Sequence, residues 1–155
     1  MPFPANELPY LDRYNHSITS DQDTRYNCIA WAAGDQEKWW WPDEDGYWPD
    51  RAPREATLEA FLAAFQALGY SPCPDGDLEL GFSKIAIYGL TSRGVVTPTH
   101  VARQLTDGRW TSKLGPLEDI AHKHPENVNG PAYGRVCAFL KRQTRKSTAH
   151  QSSSR

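Results

Sequence analysis

Apolar residues in the first half of the chain follow a helical period. Leu58, Phe61, Leu62, Phe65 and Leu68 recur at three- and four-residue spacing, the signature of one helical face, and Gly69 stands where a C-cap belongs. A shorter apolar run, CIAWAA at residues 28–33, follows Asn27 as its N-cap and stops at Gly34. Beyond a turn-rich link at residues 71–76 the period changes. Residues 84–90 (KIAIYGL) read as a buried strand. Residues 100–106 (HVARQLT) and 109–114 (RWTSKL) flank Asp107-Gly108, so they read as a β-hairpin. Residues 116–124 (PLEDIAHKH) suit a short helix, with Pro116 near its first position and acids in its first turn. Residues 133–141 (YGRVCAFLK) alternate as a last strand. Residues 1–23 are polar and without period, and the aromatic, Pro-punctuated stretch at 39–49 reads as a loop. The order is helix, helix, then hairpin-connected strands, which predicts an α+β fold with N-terminal helices packed on an antiparallel sheet.

Composition fits one domain. Of 155 residues 39% are hydrophobic and 12% aromatic, and the 6 Trp bring enough apolar area for a packed core. No run approaches a membrane-spanning length. The start has neither a basic nor an apolar signal region, and three cysteines without close spacing argue against a disulfide framework. The expected location is therefore cytoplasmic, or outside the cell through a dedicated export machine. The net charge of −2 hides an asymmetry. From Arg135 onward the chain carries Arg135, Lys141, Arg142, Arg145, Lys146 and Arg155 and no carboxylate. This divides the sequence into a single domain over residues 1–142 and a disordered basic tail at 143–155. The domain itself is acidic, which disfavours binding to nucleic acid. His122, Lys123, His124 and Cys73 lack the spacing of a metal site, so no metal and no cofactor is expected. The expected form is a monomer without membrane contacts.

The candidate chemistry centres on Cys28, in the first turn of a predicted helix. There the unpaired N–H groups and the helix dipole favour a thiolate and lower the thiol pKa. His100 begins a strand and so lies at a sheet end, where it could serve as base. Taken singly, Cys28 reads as a small buried hydrophobe and His100 as a satisfied strand histidine. Together, in this order and on these elements, they point to thiol catalysis.

Tyr26-Asn27-Cys28-Ile29-Ala30-Trp31 resembles the nucleophile motif of NlpC-type cell-wall cysteine peptidases, usually aromatic-Asp-Cys-Ser-Gly-aromatic. His100-Val101-Ala102 with Asp107-Gly108 resembles their His-Val-Gly strand and its hairpin. The likeness covers roughly residues 24–34 and 84–114 and departs at Asn27, Ile29 and Ala30. It implies a papain-like core, a Cys28 nucleophile, a His100 base, and a third polar group near Ser112. Peptidoglycan stem peptides are the substrate it suggests.

Hairpin geometry bears on that third group independently. A three-residue loop at 106–108 puts Ser112 opposite Ala102 and on the His100 face, whereas a two-residue turn turns Ser112 away and brings Lys113 there. Gln104 shares the His100 face by period two, and Asp119 is a further rival. The mechanism expected is attack of the Cys28 thiolate on an amide carbonyl, with His100 protonating the leaving amine and water resolving the thioester. The same chemistry would serve a transamidase, or a deamidase acting on protein Gln. Asn27, Trp31, Trp41, Trp48 and Gln104 are the candidates for contacts with a peptide or protein substrate. The competing reading is a non-catalytic binding module that uses the aromatic loop as its contact surface.

Overall fold

The computed structural model describes residues 7–114 and 118–144. Its architecture is β-rich. Among the described residues seven strands form one antiparallel sheet: β1 (His16–Ile18), β2 (Ser71–Cys73), β3 (Phe82–Ser92), β4 (Val95–Gln104), β5 (Trp110–Lys113), β6 (Asp119–His122) and β7 (Arg135–Gln143), in the order β1-β6-β5-β4-β3-β7-β2. Among the described residues there are two short α-helices, α1 (Cys28–Ala33) and α2 (Leu58–Gln66). The expected α+β, papain-like arrangement of helices on a sheet is thereby corrected to a sheet-dominated fold.

The correction has local causes. Residues 119–122, expected in a helix, form β6. Its four residues are all buried, hydrogen-bonded between β1 and β5. Pro116, the expected start of that helix, lies outside the described residues, as do residues 145–155 of the expected tail. Two segments read as irregular are edge strands: His16–Ile18 pairs with β6, and Ser71–Cys73 pairs with β7. Pro72 is tolerated because β2 has a neighbour on one side only. Strands of three or four residues carry too little period to be seen, and cross-strand neighbours settle their conformation.

The N-cap expected at Asn27 is observed, whereas the start of α2 at Thr57 was not read from the sequence. Asn27 and Thr57 cap α1 and α2, accepting from the backbone N–H groups of Ala30 and Ala60. The Asp107-Gly108 hairpin closes as the three-residue form: Leu105 N–H donates to Arg109 O at 2.7 Å, and Gly108 takes φ 93°. β3 and β4 are joined by a tighter turn at Arg93-Gly94, with positive φ at both.

The sheet separates two apolar clusters. On one face Ile85, Ile87, Val101 and Leu140 pack under α1, α2 and the tryptophan loop. On the other, Ala86, Tyr88, Ala102, Trp110 and Ile120 are covered by Leu8 and Leu11 from the N-terminal segment and by Val128. Among the described residues no helix is long and apolar enough to cross a membrane.

Candidate functional site

Two β-bulges fall beside His100. Tyr88 pairs with His100 but Gly89 pairs with Pro98, leaving Thr99 as the extra residue in β4. Ile87 pairs with Ala138 but Tyr88 pairs with Val136, leaving Cys137 extra in β7. Bulges re-aim the groups around them. The Thr99 carbonyl lies 4.0 Å from Cys28 Sγ, while Thr99 Oγ1 donates to Tyr133 O at 2.6 Å. Pairing between β4 and β5 is confined to Arg103↔Thr111 and Gln104↔Trp110. The first turn of α1 therefore meets β4 where it has no partner on the β5 side.

Cys28 belongs to the helix-side cluster, whereas the His100 ring packs with groups of the opposite face. It lies flat on Tyr133, with centroids 4.1 Å apart and planes 13° apart, and edge-on to Tyr88. Thiol and imidazole thus approach the same stretch of β4 from its two sides. They do not hydrogen-bond to each other: His100 Nδ1 has no partner among the described residues. Burial, and then the Cys28 charge, hold the Tyr133 hydroxyl pKa up.

Both groups are withdrawn from water, Cys28 at 6% exposure and His100 at 0%. Burial pushes the Cys28 thiol up to about 11, against the backbone N–H groups of Val101, Ile29 and Cys28 itself and against the Lys113 ammonium. The lowering expected from the helix start is outweighed, because a six-residue helix offers few aligned dipoles and the surroundings are apolar. Burial, followed by His122, pulls the His100 imidazolium down to about 3. In this arrangement the pair is thiol and neutral imidazole.

Ser112 is on the His100 face, in line with the three-residue turn. Its Oγ lies 3.0 Å from His100 Nε2 and 2.8 Å from His122 Nε2, and His122 Nδ1 lies 2.9 Å from His124 O. All three side chains are essentially inaccessible. The sequence weighs His122 only as a metal ligand within an expected helix, which hides its place beside Ser112. Its alternation with Ile120, one face apart from Ala121, would have placed it once β6 was known.

The rivals for the third position are engaged elsewhere. Gln104 Nε2 donates to Gly76 O at 2.7 Å, tying down the loop before β3. Asp119 accepts from Tyr26 Oη at 2.8 Å and lies 4.0 Å from buried Lys113 Nζ, whose ammonium also stands over the Tyr26 ring. The remaining candidates for substrate contacts have internal partners. Asn27 Nδ2 donates to Trp40 O, while its Oδ1 accepts from Ala30 and Trp40 N–H. Trp31 Nε1 donates to Thr111 Oγ1, and the Arg103 guanidinium covers its ring. Trp41 and Trp48 pack on Phe61, and Trp48, 1% exposed, donates to Pro53 O. The aromatic loop is largely a roof for the helix-side core.

Of the other cysteines, Cys73 lies in β2 with Sγ donating to Asp75 O, and Cys137 donates to Ile87 O at the second bulge. All three thiols are free. Two surface cavities, of about 560 and about 610 Å³, are not lined by Cys28 or His100. The larger runs along Gly89, Gly130 and Gly134, behind the loop that carries Tyr133.

No curated protein and no solved structure matches the chain. A match over residues 17–141, most of its length, shows that the chain belongs to the family described as Domain of unknown function (DUF7689).

Proposed function

We propose that the protein is a cysteine hydrolase that cleaves a peptide or isopeptide amide through Cys28 and His100. One observation carries this: a thiol at the start of a capped helix lies against the bulged strand segment whose next residue is a buried histidine with one nitrogen unpartnered. The likeness of residues 26–31 and 100–102 to NlpC-type cysteine peptidases supports the same pairing. With both groups neutral, His100 removes the Cys28 proton as sulfur attacks the amide carbon. The N–H groups at the start of α1 receive the oxyanion. The C–N bond then breaks, the imidazolium gives its proton to the leaving amine, and water hydrolyses the thioester to the acid and free thiol. Entry of a carbonyl requires Tyr133 to lift from His100, on a loop bounded by Gly130 and Gly134.

A second reading takes Cys28 and His100 as core residues of a binding module. Their burial and the missing thiol–imidazole bond favour it.

A peptidyl chloromethyl ketone separates the two. Alkylation forms an S–C bond, expels chloride and delivers the thiol proton to the base. Peptide mapping should find Cys28 labelled faster than Cys73 and Cys137, with the Cys28 rate falling at least tenfold in His100→Ala. Labelling of Cys28 that is no faster than that of Cys73, or indifferent to His100→Ala, supports the binding module.

A further inference from the structure

The hydrogen-bond chain through His100, Ser112 and His122 has a direction, and its far end sets it. His124 O is a carbonyl and can only accept, so His122 Nδ1 carries a proton. His122 is 1% exposed, and burial pulls its imidazolium down to about 4, so the ring is neutral near pH 7 and its Nε2 is bare. Ser112 Oγ, 2.8 Å away, has a single hydrogen and donates it there. Nothing is left for Ser112 to donate to His100. At 3.0 Å it can only accept, and the donor must be His100 Nε2–H. His100, also neutral, then has its lone pair on Nδ1, the buried nitrogen without a partner.

We propose, on the Cys28–His100 reading, that His122 is a positioning residue: acting through Ser112, it holds His100 in the Nε2–H tautomer and leaves Nδ1 as the base. A serine alone could not do this. Its hydroxyl rotates and would donate to, or accept from, whichever nitrogen state it met. A partner that only accepts, placed behind the serine, removes that freedom. This accounts for a serine beside the imidazole, where an amide or carboxylate would orient the ring unaided. The supports are rigid: His122 lies in β6 between His16 of β1 and Trp110 of β5, and Ser112 pairs with Ile120.

Tautomers are read directly by long-range ¹H–¹⁵N correlation on the ¹⁵N-histidine-labelled full chain at pH 7. The wild type should show His100 protonated at Nε2 and bare at Nδ1, with His122 the reverse. In His122→Phe the serine loses its acceptor and turns its hydrogen to His100, which should move its own proton to Nδ1. Chloromethyl ketone labelling of Cys28 should then slow about tenfold. His122→Gln keeps an acceptor for Ser112 and should retain both the tautomer and the rate. A wild-type His100 protonated at Nδ1 overturns the proposal, and needs no variant to fold. Reactive Cys28 with a His100 tautomer unmoved in His122→Phe overturns it as well and leaves the hydrolase reading standing. Inert Cys28 in the wild type overturns the hydrolase reading itself, and the role assigned to His122 with it.

Discussion

Cys28 and His100 each feel two opposed influences, and at both the apolar surroundings win. The helix start and Lys113 favour a thiolate, yet removal from water holds the thiol near 11. For the histidines the same physics has a consequence for stability. In the unfolded chain imidazoles bind a proton near pH 6.5, whereas in the folded chain His100 and His122 do so only at about 3 and about 4. Between those limits the unfolded state holds more protons. The stabilisation is complete above about pH 6.5 and drains away as the pH falls. Unfolding free energy should drop by about 1 kcal/mol per histidine for each pH unit between about 6 and 4. Urea titrations at pH 7, 6 and 5 measure this, and a midpoint that does not move would show that the two rings are not buried as neutral groups. Ser112 was legible at this scale only as one alternative, since strand parity puts it beside His100 if the turn has three residues, as the structure shows. His122 was not, since its role exists only across the β5–β6 pairing.

Among the elements, α1 shows how a local signal can carry a non-local load. Asn27 does what any N-cap does for Ala30, and it also exchanges two hydrogen bonds with the Trp40 backbone, stapling the tryptophan loop to the helix that presents Cys28. Thr57 caps α2 by accepting from Ala60 N–H, and its hydroxyl donates only to the exposed Glu55 carboxylate. Asn27→Ala should therefore cost about 2–4 kcal/mol and Thr57→Ala about 1 kcal/mol, read as shifts in denaturant midpoint. Equal costs would mean that the Trp40 bonds contribute nothing. The cap could be read from the sequence, but the staple could not. Strand β6 was hidden for another reason. Asp119-Ile120-Ala121-His122 has the charge and spacing of a helical turn, and it is a strand because Asp119 meets Tyr26 and His122 meets Ser112 inside the fold. Those partners are 93 and 10 residues away in the chain.

For the whole molecule, the sheet buries both faces with unequal covers. Helices and tryptophans shield one side. The other depends on an irregular N-terminal segment, where Leu8 and Leu11 are 6% and 5% exposed. That segment completes the core on the face where His100 and Ser112 lie. Leu11→Ala should cost about 2–5 kcal/mol, as for other buried leucines, and a cost below about 0.5 kcal/mol in thermal or urea unfolding would assign the segment to the surface. The sequence by itself determined what depends on near neighbours: the capped start of α1, the apolar face of α2 and the Asp-Gly hairpin, whose loop length, and with it the side of the sheet that Ser112 takes, came from the structure. Caps, periods and turns are local, and their residues carry the signal with them. Only the tertiary structure decided that residues 119–122 are a strand, that the tryptophan loop is core, and that Cys28 and His100 are both neutral. Each of those depends on what lies across the sheet and on how much water remains, and burial is a property of the assembled chain.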